Sequence, residues 1–127
     1  MARQVIRPTT VHPVKNYSHG IRNGNILHIA GQVPLDKEGN LVGKGDIAAQ
    51  AEQVFTNIKG VVEAAGGTMA NIAKITMFAT SLAYRPTIAE TRARYFPADP
   101  PASTFLVISS LAEPGFLLEI EAIAVLD

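Results

Sequence analysis

The chain has 127 residues, enough for one hydrophobic core and a single domain spanning 1–127. Eleven Lys and Arg balance eleven Asp and Glu, so with neutral histidines the net charge is zero, and a polybasic footprint for nucleic acid is not expected. Only 17% of residues are charged against 47% hydrophobic, an excess that points to a buried subunit interface, and the absence of cysteine excludes disulfides, thiolate nucleophiles and cysteine-ligated metals.

The N-terminal stretch Met1 to Pro8 carries charge without a long apolar run, and no apolar run in the chain reaches membrane-spanning length. The expectation is an unprocessed cytoplasmic protein without membrane contact. Asn23-Gly24, between Gly20-Ile21-Arg22 and Ile26-Leu27-His28-Ile29-Ala30, is a hairpin signal joining two early strands. Residues 34–46 read as a polar, glycine-containing loop. Asp46 is a natural N-cap for a helix whose apolar stripe comprises Ile47, Ala51, Val54, Phe55, Ile58, Val62 and Ala65, ended by Gly66-Gly67.

A turn at Met69-Ala70-Asn71 precedes a strand from Ile72 to Ala79. A second helix is expected from about Pro86 to just before Pro97, then a stiff loop at Ala98-Asp99-Pro100-Pro101. Strands from about Ser103 to Ile108 and from about Phe116 to Val125 complete the chain, separated by Glu113-Pro114-Gly115. With no internal repeat or linker, this order describes one α+β domain, a mixed β-sheet with two helices packed on one face.

The last strand carries the chemistry most plainly. Its alternation places Glu119 and Glu121 with Ile123 and Val125 on one face, and Leu118, Ile120, Ala122 and Ala124 on the other. Two carboxylates in so apolar a strand need water, a partner or a chemical role. The three histidines, His12, His19 and His28, have no metal-site spacing, and Gly39, Gly43 and Gly45 lack the pattern of a phosphate loop, so neither a metal nor a cofactor is expected.

Taken in order, Pro13-Val14-Lys15-Asn16-Tyr17-Ser18-His19-Gly20, Ala30-Gly31-Gln32-Val33-Pro34, Ala64-Ala65-Gly66, Pro101-Ala102-Ser103-Thr104 and Glu119-Ile120-Glu121-Ala122-Ile123-Ala124 closely resemble the Rid family, also called the RidA/YjgF family. The resemblance covers Pro13 to Val125. It implies a chorismate-mutase-like α+β subunit, a homotrimer with small-molecule clefts between neighbours, and cofactor-independent hydrolysis of reactive enamines and imines to 2-oxo acids and ammonia.

By the same resemblance Tyr17 and Glu119 match catalytic positions, Tyr17 orienting the substrate and Glu119 handling water. Gly31, Ser103, Thr104 and His19 are candidates for substrate contact, and Glu121 for a structural pairing with a backbone group or an interface cation. One departure stands out: Ser103 occupies the position where deaminating members carry an arginine. A serine hydroxyl supplies neither the charge nor the second donor of a carboxylate clamp, so 2-imino acids are disfavoured as substrates. Ala30 and Ala89 also stand where the family often has serine and asparagine. Arg22, Arg85, Arg92 and Arg94 read as solvated surface charges. Three classes follow: an imine or enamine hydrolase, a non-catalytic trimeric metabolite-binding or regulatory protein, and, less favoured by the charge balance, an endoribonuclease.

Overall fold

Six strands form one sheet in the computed structural model, which describes residues 2–127. In chain order the elements are β1 (Gln4–Ile6), β2 (Gly20–Asn23), β3 (Ile26–Gln32), α1 (Ile47–Ala64), β4 (Ile72–Ala79), α2 (Arg85–Tyr95), β5 (Ala102–Val107) and β6 (Leu118–Val125). The sheet order is β1-β2-β3-β6-β4-β5. Only β4 and β5 are parallel, joined by the crossover through α2; every other neighbouring pair is antiparallel. The α+β reading, with both helices on one face, matches this architecture.

Local chemistry places the helix ends. The Asp46 carboxylate accepts from the Ala49 amide at 3.2 Å, capping α1 as expected. At the other end Gly66 has φ +88°, and two bonds, Gly67 N–H to the Val62 carbonyl and Gly66 N–H to the Glu63 carbonyl, close the last turn. This is a Schellman stop, which needs the left-handed conformation that glycine tolerates. The first hairpin turns at Gly24-Asn25, one residue later than the Asn23-Gly24 signal suggests, because Asn23 pairs with Ile26 and remains in the strand.

The core lies between the sheet and α1. Ala51, Val54, Phe55, Ile58, Val61 and Val62 of the helix are fully buried with Leu27, Ile75, Leu118 and Ile120 of the sheet. Each large apolar side chain so buried contributes about 1.5–3 kcal/mol. Two buried polar residues interrupt the stripe on α1. Gln50 donates to the Gly43 and Gly115 carbonyls at 3.0 and 2.9 Å and accepts from the Leu117 amide at 2.8 Å. Asn57 donates to the Val33 and Leu35 carbonyls, both at 3.0 Å. These amides fasten the loops around β3 and β6 to the helix.

The C-terminal end of α2 is tied to α1 by one cluster. The Tyr95 hydroxyl donates to Glu52 Oε1 at 2.7 Å, Arg94 pairs with Glu52 at 3.1 Å, and the Tyr95 ring stacks on Phe55 with centroids 5.3 Å apart. No helix among the described residues is long and apolar enough to cross a membrane.

Candidate functional site

Strand register decides which side chains share a face. Along β6, Leu118, Ile120, Ala122 and Ala124 are buried toward the helices, while Glu119, Glu121, Ile123 and Val125 lie on the helix-free face, as the alternation requires. Pairing of β6 with β4 and of β4 with β5 then builds cross-strand rows on that face: Glu119–Phe78–Leu106, Glu121–Thr76–Thr104 and Ile123–Lys74–Ala102. The opposite face carries Leu118–Ala79–Val107, Ile120–Met77–Phe105 and Ala122–Ile75–Ser103.

Glu119 is half-buried at an irregularity in the sheet. Between the pairs Ile29–Ala122 and Gln32–Ile120, β3 uses one residue more than β6, so the Ala30-Gly31 segment bulges beside the carboxylate. A β-carbon built on Gly31 would fall 2.7 Å from Glu119 Cδ and 3.0 Å from its Cγ. The glycine is thus the space in which the carboxylate rests. Burial, and secondarily the Glu121 carboxylate, raises the Glu119 pKa above the ordinary glutamate value.

Tyr17 stands in the loop before β2 with 53% of its surface exposed, and its ring meets the His19 ring edge-on at 6.1 Å. Desolvation, and after it the nearby Glu119 charge, raises the phenol pKa, so Tyr17 stays protonated at neutral pH and can donate a hydrogen bond. Gly31 and Glu119 are thus in direct contact, and Tyr17 lies within range of the Glu119 charge.

His19 lies behind this group. It is buried, with Nε2 2.6 Å from the His12 carbonyl and Nδ1 3.1 Å from Gln32 Nε2. The Gln32 amide also donates to the Ala30 carbonyl at 3.0 Å. Because that amide donates to Nδ1, the proton of His19 resides on Nε2 and points at His12. Both ring nitrogens are consumed within the chain, so His19 holds the Tyr17 loop to the bulged end of β3 and has no free nitrogen to offer a ligand.

Ser103 and Thr104 are divided between the two faces, being adjacent in one strand. Thr104 lies two strands from β6, on the glutamate face, where its hydroxyl accepts from Lys74 Nζ at 2.5 Å. Ser103 lies on the helix face and accepts from Arg92 Nη1 at 3.2 Å. Within one chain, then, Ser103 does not meet Glu119. Glu121, expected to be paired structurally, is exposed, and its carboxylate has no side-chain hydrogen bond or ion pair among the described residues.

Sequence reasoning did not single out Gln32 or Lys74, and it treated Arg92 as surface charge. Gln32 is the residue after Gly31 in a strand of otherwise apolar burial, a polar anomaly that could have flagged it. No group of three or more His, Asp or Glu side chains suited to a metal ion occurs among the described residues.

Residues 8–126 match the family model described as endoribonuclease L-PSP. A RutC family protein of Pyrococcus horikoshii is 39% identical over 112 residues, 88% of each chain. Among solved structures, a Rid-family protein of unknown function from Yersinia pestis superposes with a TM-score of 0.93 at 34% identity, over 98% of this chain and 100% of the other. RidA from a Psychrobacter species gives 0.90 at 32% identity, over 97% and 99%. With the sheet order, the helices and the Gly31–Glu119 contact in place, these matches establish that the chain belongs to the Rid family, the YjgF/RidA proteins that the endoribonuclease L-PSP model describes.

Proposed function

We propose that this protein hydrolyses a reactive enamine or imine metabolite without metal or organic cofactor, in a cleft that a neighbouring subunit of a homotrimer completes. The single observation that carries the reading is the half-buried Glu119 carboxylate seated over Gly31 beside a protonated Tyr17. A raised pKa brings a carboxylate closer to neutrality, where it can both take and return a proton.

An enamine first gains a proton at carbon and becomes an imine. Glu119 then takes a proton from water as its oxygen bonds to the imine carbon. Glu119 returns that proton to nitrogen and then relays the proton of the new hydroxyl to it as well, so the carbon–nitrogen bond breaks as the carbonyl forms and ammonia leaves. Tyr17 donates to a polar atom of the substrate and packs its ring on the flat π-system. The glutamate face also carries exposed Ile123, Val125 and Leu106, which supports its being covered by another subunit.

The test is a dehydratase-coupled assay that follows imine loss with and without the protein, using wild type and Glu119→Gln. Acceleration by wild type and its loss in the variant are expected, with about three subunit masses by light scattering. No acceleration with any imine offered would leave the metabolite-binding reading, and cleavage of single-stranded RNA would point to the activity in the family model's description.

A further inference from the structure

Alternation along β3 puts Leu27 and Ile29 on the buried face of the sheet, and without interruption it would put Gly31 there too and Gln32 on the open face. The extra residue of the bulge reverses that order. Gln32 pairs with Ile120, a core residue of β6, and its side chain has no exposed surface. A buried amide therefore stands on the core side of the sheet, next in sequence to the glycine against which Glu119 rests on the other side. Its nitrogen closes a ring of three hydrogen bonds: Gln32 Nε2 donates to the Ala30 carbonyl at 3.0 Å and to His19 Nδ1 at 3.1 Å, and the Ala30 N–H donates to the His19 carbonyl at 2.9 Å. Both hydrogens of that nitrogen are committed, and since a carbonyl only accepts, the bond to Ala30 fixes which way the amide faces. Gln32 Oε1 is left without a hydrogen-bond partner among the described residues. An idle buried acceptor weakens a core that a methionine would fill as well, so packing alone does not account for an amide at this position.

We propose that Gln32 is a positioning residue, whose one amide nitrogen holds the Tyr17 loop and the Gly31 seat of Glu119 at a fixed spacing. This rests on the reading of Tyr17 and Glu119 as the groups that act on the substrate. The Ala30 carbonyl belongs to the peptide that leads into Gly31, and because a peptide is planar, holding its oxygen sets the floor against which the carboxylate lies. His19 is two residues from Tyr17 and its ring meets the phenol ring edge-on, so the second bond ties the Tyr17 loop to the same nitrogen. Without that nitrogen the loop and the bulge shift independently, and a misplacement of about 1 Å typically lowers a rate on the order of a hundredfold.

The experiment compares the full-length wild type with Gln32→Met, which keeps length and burial but donates nothing. Turnover in the dehydratase-coupled assay should fall about tenfold to a hundredfold with KM little changed, since the defect lies in alignment. Asn57→Leu removes another buried amide, one that ties loop carbonyls to α1, and should lower stability without lowering turnover. Two NMR signatures need no substrate. The His19 Nδ1 signal should move when its donor is removed, and the Glu119 carboxyl carbon should titrate closer to the ordinary glutamate value as the loosened seat admits water. If both signatures move while wild type hydrolyses no imine, the positioning stands and the hydrolase reading fails. The proposal is overturned if Gln32→Met folds with the Glu119 titration unmoved, if it turns over imine as fast as wild type, or if Asn57→Leu loses as much turnover. Should Gln32→Met not fold, Gln32→Glu decides in its place. Its carboxylate accepts from a protonated His19 ring and holds the loop, yet cannot donate to the Ala30 carbonyl, so turnover should still fall and full turnover overturns the proposal.

Discussion

The carboxylate of Glu119 on β6 rests in the space that a side chain at Gly31 on β3 would occupy. The glycine is needed for room, and its replacement acts on the glutamate directly. In Gly31→Ala the new methyl would force the Glu119 side chain from Cγ outward to move. Overpacking of this kind typically destabilises by about 1–3 kcal/mol. Turnover in the imine assay should fall at least as far as in Glu119→Gln, while the fold persists by circular dichroism.

Glu119→Gln should raise thermal stability at neutral pH. Burial lifts the folded-state pKa of Glu119 above its unfolded value, so this group favours folding while protonated. That contribution is complete below the unfolded pKa and disappears as pH rises through the folded one. Glutamine keeps the shape without the charge, so the variant's melting temperature should exceed wild type above that range and converge with it in acid. Melting curves across pH check this, and a variant less stable at pH 7 contradicts it.

His12 should act in the opposite sense. Desolvation and then the neighbouring His19 lower its pKa below 6.5, with a smaller upward pull from Asp36, and its buried Nδ1 has no hydrogen-bond partner among the described residues. A depressed pKa means stability that is present above pH 6.5 and is lost as pH falls toward the folded value. Denaturant midpoints for wild type should therefore drop on acidification through this window. His12→Phe removes the titrating ring and keeps the backbone carbonyl that His19 uses, so its profile there should be flatter.

Gln50→Ala should be among the most damaging single changes away from the site. It leaves the Gly43 and Gly115 carbonyls and the Leu117 amide without their partner. A buried group left unsatisfied costs about 1–3 kcal/mol, and partial access to water in the loops keeps the total near the value for one or two such groups. Urea unfolding measures the loss, and a shift in midpoint below that for an exposed control such as Glu63→Ala would contradict the fastening role.

Much of the fold was legible because local and long-range signals agree. Asp46 caps α1, glycine stops it, and the alternation in β6 divides the glutamates from the core as expected. The three-residue β1 was not legible, being too short to show a period. Gln50 and Asn57 were missed because an apolar stripe reveals only what burial favours, whereas these two are buried to satisfy loop carbonyls.

The site was legible in part, for a geometric reason. Alternation tells which residues of one strand share a face, but only the register between strands tells which set in β5 joins which set in β6. That register puts Thr104 with Glu121 and Ser103 with Ala122, so the expected contact set separates into two faces. Gly31 and Glu119 come together because a bulge in β3 makes room for the acid.

The Tyr95–Glu52 anchor has a meaning for heredity as well as for packing. Residues of β5 are held by the strand ladder, whereas α2 is seated by its buried Ile88 and Thr91 and, at its C-terminal end, by the Tyr95–Glu52 cluster. Substitutions at Glu52 or Tyr95 can therefore shift the end of α2 against α1 while leaving the strand register of the sheet untouched. Such changes are felt among the helices first, because the glutamate face lies on the other side of the sheet.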